Sequence, residues 1–153
     1  MKSAPINARC MISFMPKRRD FLFSAAGFPA LASLAAAASG SKLPDTVVTE
    51  TQATASKENG QDLRVFFDGP TNQLHSMTAG NLRLMPGMSP HPPHQHPEEE
   101  ILFITEGSGE VTIEGKPHKI SAGSAMYCEA NKLHGITNTG SKPLLFYFCK
   151  WKA

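Results

Sequence analysis

The chain has 153 residues and a formal net charge of +2, and 41% of it is hydrophobic. That length fits one domain able to bury a core without disulfides. The basic excess is confined to the start: residues 1–38 hold five basic residues against one acidic, and the remainder holds ten against twelve. A body without a basic patch argues against nucleic-acid binding.

Chain order begins with Arg18 and Arg19, followed by Asp20, Phe21 and Leu22. Residues 21–38 carry no charge, and Ala36, Ala37 and Ala38 supply small residues at the end. A basic region, an apolar stretch and a small-residue exit describe a secretory signal peptide. The adjacent arginines resemble the twin-arginine type of bacterial export signal. The expectation is a leader over residues 1–38, cleaved after Ala38, with the twin-arginine export machinery as a partner and the periplasm as destination. The stretch is rich in Ala, Ser and Gly with Pro29 inside it, too weakly apolar to be favoured as a permanent membrane anchor. Export of that type carries proteins already folded, so a metal could be taken up beforehand.

Residues 39–62 are polar, with Val47 and Val48 as the strongly β-prone pair. They read as a linker or an edge strand. From Leu63 the body reads as short strands divided by Gly and Pro. "LRVFFD" ends at "GPTN". "LHSMTAGNLRLMPG" gives one or two strands. "EILFITEG" is an apolar run. "GEVTIEGKPHKI" alternates Val111 and Ile113 against Glu110, Thr112 and Glu114, with Gly115 and Lys116 supplying the turn. "SAMYCE", "LHGITN" and "LLFYFCKW" complete the set. Short strands at this spacing, without helical periodicity, predict an all-β sandwich or barrel over residues 63–153.

The chemistry concentrates in "HPPHQHPEEE", residues 91–100. His94 and His96 are two apart, so an extended chain turns both imidazoles to one side. Glu100 shares their parity. His134 lies in an apolar strand, where a buried imidazole needs a partner. His91 reads as loop, with a supporting role behind the ligands as the alternative. Glu98 and Glu99 read as solvated charges, His75 and His118 as surface residues, and Met85 and Met88 as core or pocket lining. Cys10 lies in the leader. A Cys128–Cys149 bridge requires their strands to be adjacent and in register; otherwise both are buried thiols.

"GMSPHPPHQHPEEEILFITEG" resembles the first motif of the cupin superfamily, with Gly87, His94, His96, Glu100 and Gly107 in its places. "GSAMYCEANKLHGITN" resembles the second, through Gly123, His134 and Asn138. Six residues rather than five separate Gly87 from His94, and Glu129 and Asn131 stand where the second motif has Pro and Gly. Asn tolerates the left-handed backbone that Gly would adopt, so the turn can survive; Glu129 reads as a surface residue or one at the pocket mouth.

The resemblance implies a single small jelly-roll barrel with one divalent first-row metal held by His94, His96, Glu100 and His134. Imidazole with carboxylate suits Fe, Mn, Zn, Ni or Cu alike. It further implies a small-molecule substrate or ligand, and it suggests a homodimer. Two functions fit. One is a metal-dependent enzyme of the oxygenase or lyase/isomerase type. The other is a non-catalytic metal- or ligand-binding module. No catalytic acid or base is identified beyond the ligands; Tyr127, Cys128 and Glu129 are candidates only by proximity to the second motif.

Overall fold

The computed structural model describes residues 41–153. The leader and Cys10 lie outside the described residues. Nine strands follow in order: β1 Thr54–Glu58, β2 Gln61–Gly69, β3 Ser76–Leu84, β4 Glu99–Glu106, β5 Ser108–Ile113, β6 Lys116–Ser121, β7 Ala125–Cys128, β8 His134–Thr137 and β9 Leu144–Lys152. Among the described residues there is no helix. The strands form a six-stranded sheet, β1-β2-β3-β9-β4-β7, and a three-stranded sheet, β6-β5-β8. Every pairing is antiparallel. This is the expected all-β jelly roll.

The alternation seen in the sequence becomes a core. Leu82 and Leu84 of β3, Leu102 and Ile104 of β4, Leu144 and Phe146 of β9, and Met126 and Cys128 of β7 are buried together with Val111, Ile120 and Ile136 of the smaller sheet. Residues two apart on a strand share a face, so each strand contributes its inner set without exposing backbone. The outer face of β4 and β9 carries the cross-strand pair Phe103 and Tyr147, about half exposed, with Phe66 stacked on Tyr147 at 6.3 Å between ring centroids.

Two details differ from the sequence reading. An edge strand does fall within residues 39–62, but it is Thr54–Glu58 and not Val47 or Val48. Its signal was Asn59-Gly60, both at positive φ, which close the β1–β2 hairpin; Asn-Gly is the favoured pair for such a turn. The β5–β6 turn sits one residue earlier than expected, on Glu114 (φ 50°) and Gly115 (φ 75°). Glu114 tolerates that backbone because it is tied to β8. Its N–H donates to the Leu133 carbonyl, and its carboxylate accepts from the Leu133 N–H, both at 2.7 Å.

Cys128 and Cys149 are both free. Their strands β7 and β9 flank β4, where Cys128 pairs with Glu100 and Cys149 with Ile101. Two strand spacings separate them, roughly 9–10 Å, and consecutive β4 residues face opposite sides of the sheet. A bridge needs Cα atoms within about 7 Å. The fold therefore rules out this disulfide, and the compartment's redox state does not enter.

Gly107 connects β4 to β5 at φ 78°, and a Cβ there would collide with the Pro143 carbonyl oxygen and crowd Leu144 Cα. Gly107→Ala is expected to destabilise the protein by about 3 kcal/mol, from left-handed strain and overpacking together. Urea unfolding measures it. A loss below about 1 kcal/mol, within the range of an ordinary substitution, would show that the two sheets are not joined this tightly.

Candidate functional site

The residues around His94 are held by β8. His94 N–H donates to the His134 carbonyl and His134 N–H donates to the His94 carbonyl, each at 2.9 Å. Pro93 lies against Gly135, where even an added Cβ would come within 3.3 Å of the proline. Asn131 N–H donates to the His96 carbonyl at 2.8 Å. Asn131 itself sits at φ 60°, the left-handed turn expected of it in place of Gly. The loop and β8 are thereby one unit, although some forty positions separate the two histidine segments in sequence.

The histidine side chains converge. One ring nitrogen from each of His94, His96 and His134 lies within 4.8 Å of the others. Glu100 Oε2, on the inner face of β4, is 3.0 Å from His134 Nε2 and 3.6 Å from His96 Nε2. The side chains of His134, Glu100 and His96 are only 6%, 13% and 14% exposed. His91 stacks edge-on against His94 at 3.9 Å between centroids.

Backbone carbonyls set the tautomers. His134 Nδ1 lies 2.8 Å from the Lys132 carbonyl, and His96 Nδ1 lies 3.0 Å from the Glu98 carbonyl. A carbonyl only accepts, so both Nδ1 atoms carry the proton and both Nε2 atoms present lone pairs. His134 Nε2 is buried without a hydrogen-bond partner despite its approach to Glu100, because a ring protonated at Nδ1 has no proton at Nε2 to donate. His94 Nδ1 is buried and unpartnered as well. Orphaned imidazole nitrogens around a carboxylate oxygen are costly as neutral polar groups. They are the donor set that a borderline first-row cation satisfies. The residues thus fit a metal ion.

The electrostatics agree in direction. Burial pushes the His94 imidazole down to about 4, with His91, His134 and His96 adding to the fall and Glu100 opposing it. Burial alone would raise Glu100, but His134 and His96 outweigh it and hold the carboxyl down to about 2. Glu100 in turn raises His134 against the effect of burial.

The remaining candidates separate by face. Tyr127 shares the outer face with Ile101, and its hydroxyl donates to Glu99 Oε1 at 3.1 Å. Glu129 is exposed. The register of Tyr127 turns it away from the histidines. Cys128 is inward and pairs with Glu100 across β4–β7, with burial pushing its thiol upward. Glu98 lies closer to the site than its solvated reading allowed: its carboxylate is 3.4 Å from His96 Nδ1. His75 and His118 are exposed; Met88 packs on the core, while Met85 is about half exposed. Asn138, wholly buried, has a tying role that sequence reasoning did not resolve. Its amide donates to the Leu84 and Lys142 carbonyls, each at 2.9 Å, and its Oδ1 accepts from Gly140 N–H at 3.0 Å. Two surface hollows of about 420 Å³ lie elsewhere, one beside the β1–β2 hairpin and one on the outer sheet face.

A two-sheet jelly roll with an inward cluster of three histidines and a carboxylate defines a class. Residues 80–149 match the family profile described as the cupin domain, so that stretch is a cupin domain. Among curated proteins it is 36% identical over 85 residues to the dimethylsulfoniopropionate lyase DddW of Ruegeria pomeroyi, covering 56% of this chain and 55% of that protein. It is 32% identical over 59 residues to an uncharacterized protein of Methanocaldococcus jannaschii, covering 38% of this chain and 47% of that one. The chain spans about half the length of these relatives. Among solved structures, an RmlC-like cupin from Shewanella frigidimarina superposes with a TM-score of 0.59 at 15% identity, over 72% of this chain and 93% of that one. A predicted oxalate decarboxylase from Thermotoga maritima gives 0.57 at 24% identity, over 71% and 100%. These two likenesses establish the fold.

In metal-free protein, an NMR titration of the His94 ring should give a midpoint near 4. The folded value lies below that of the unfolded chain, so this group's contribution to stability is present above about pH 6.5 and is lost as pH falls toward 4. A midpoint at or above 6.5 would mean that the ring is neither buried nor flanked by other imidazoles.

Proposed function

We propose that this protein is an exported, metal-dependent lyase acting on a small organic molecule. The observation that carries the reading is the convergence of His94, His96 and His134, with Glu100 Oε2 beside His96 and His134 and two buried ring nitrogens lacking any partner. These four residues are the proposed ligands. A divalent first-row ion held by them would supply a Lewis acid that polarises a substrate oxygen.

The chain's own residues do the rest. The Lys132 and Glu98 carbonyls fix two imidazoles with lone pairs inward. Glu100 stays ionised throughout the physiological range. Lys150 stands opposite Glu100 on β9 and shares its face, which places a cation where a substrate carboxylate would be welcome. The lyase class is favoured over the oxygenase class by the likeness to DddW. Export is supported by Arg18, Arg19 and the uncharged stretch after them.

A non-catalytic binding module is favoured by a different observation. Tyr127 lies on the outer face of its sheet, Glu129 is exposed, and burial raises the Cys128 thiol, so it stays protonated. Among the described residues, no side chain outside the ligand set is placed as acid or base.

The deciding experiment takes mature protein purified untagged after native export, without chelators. Elemental analysis should give about one first-row metal per chain, lost in His134→Ala. The loaded protein should then consume dimethylsulfoniopropionate or a related small organic acid, followed by NMR across a panel. Metal without turnover of any panel member would favour the binding module. No metal in the wild type would remove the lyase reading and leave a module that binds a small organic ligand.

A further inference from the structure

His91 lies outside the four-residue set, and neither motif gives it a place. Its surroundings nevertheless match those of the proposed ligands. His91 Nδ1 lies 3.0 Å from the Pro92 carbonyl, so Nδ1 carries the proton and Nε2 is left with a lone pair. His96 and His134 are prepared in the same way. The difference is position: His91 is exposed, His94 and His96 are partly buried, and His134 is buried.

The four rings form a continuous series. Centroids are 3.9 Å apart from His91 to His94, 4.7 Å from His94 to His134, and 4.8 Å from His134 to His96. The link between His91 and His94 is stiff. Pro92 and Pro93 lock φ near −65°, Pro93 rests on Gly135, and His94 is bonded to β8 in both directions. An exposed imidazole held this closely beside a buried one is not a random loop residue.

We infer that His91 is an outer entry ligand, which captures a hydrated divalent cation at the protein surface and passes it inward to His94. The inference rests on the metal reading above. A hydrated ion exchanges its waters for protein ligands stepwise, and the first of these must be reachable from solvent. A group used only in transit speeds passage equally in both directions. It therefore changes rates and leaves affinity where it was.

The test follows Co²⁺ uptake by metal-free mature protein in stopped flow, Co²⁺ release into excess EDTA, and equilibrium affinity by competition with a chromophoric chelator. His91→Ala should slow uptake and release by the same factor. Its affinity and stoichiometry should match the wild type. His91→Phe keeps an aromatic ring against His94 without a lone pair, and should be as slow as His91→Ala. Unchanged rates in His91→Ala would overturn the proposal. So would weaker affinity with faster release, which would make His91 a permanent ligand or a support. So would wild-type rates in His91→Phe, which would reduce its role to stacking. Failure of the wild type to take up Co²⁺ would overturn this inference together with the metal reading, whereas wild-type uptake shared by both variants would overturn this inference alone.

Discussion

Two backbone hydrogen bonds hold the site together. His94 and His134 exchange N–H and carbonyl at 2.9 Å in each direction, a one-residue ladder between a proline-rich loop and β8. Everything chemical in the molecule depends on it. Loop histidines alone would be two imidazoles at a surface, and His134 alone would present one buried, unpartnered ring nitrogen. The exchange fixes both rings relative to β4, which brings Glu100. Because the bonds are made by backbone, side-chain identity is free to be chosen for chemistry.

The site opposes the rest of the fold. Around it the two sheets pack aliphatic side chains, with Leu84, Val111 and Leu144 almost fully buried. Within it a carboxylate and three imidazoles are crowded into a space where neutral nitrogens go unpartnered. Burial in such surroundings is unfavourable for each group alone. The shifts in His94 and Glu100 are that conflict expressed as proton affinity: the imidazole avoids charge while the carboxyl keeps it. An arrangement that costs stability and is relieved by one cation is intelligible as a binding site. As a packing solution it has no advantage over aliphatic residues.

Much of this was legible in the sequence because it depends on local periodicity. His94, His96 and Glu100 share parity, and parity decides the face of an extended chain. The strands of residues 63–153 alternate or break at Gly and Pro, so their existence could be read, and Asn131 could be recognised as a left-handed substitute for Gly. What depended on strand order could not. The Cys128–Cys149 question turns on β4 lying between β7 and β9, a non-local fact. Tyr127 was a candidate only until its register with Ile101 turned it outward. The carbonyls of Lys132 and Glu98, which set two tautomers, are backbone atoms that every residue has. The Asn59-Gly60 turn is a local signal masked by the polar residues around it.

The central claim is that three imidazoles and one carboxylate meet on a single ion. X-ray absorption at the edge of the bound metal tests it most directly, since imidazole rings and sulfur leave different signatures. The account predicts three imidazoles with oxygen completing the shell and no sulfur, because Cys128, though inward and in register with Glu100, is not among the side chains that converge with the three histidines. A sulfur scatterer, or two imidazoles or fewer, would contradict it and place the ion elsewhere than at His94, His96, Glu100 and His134.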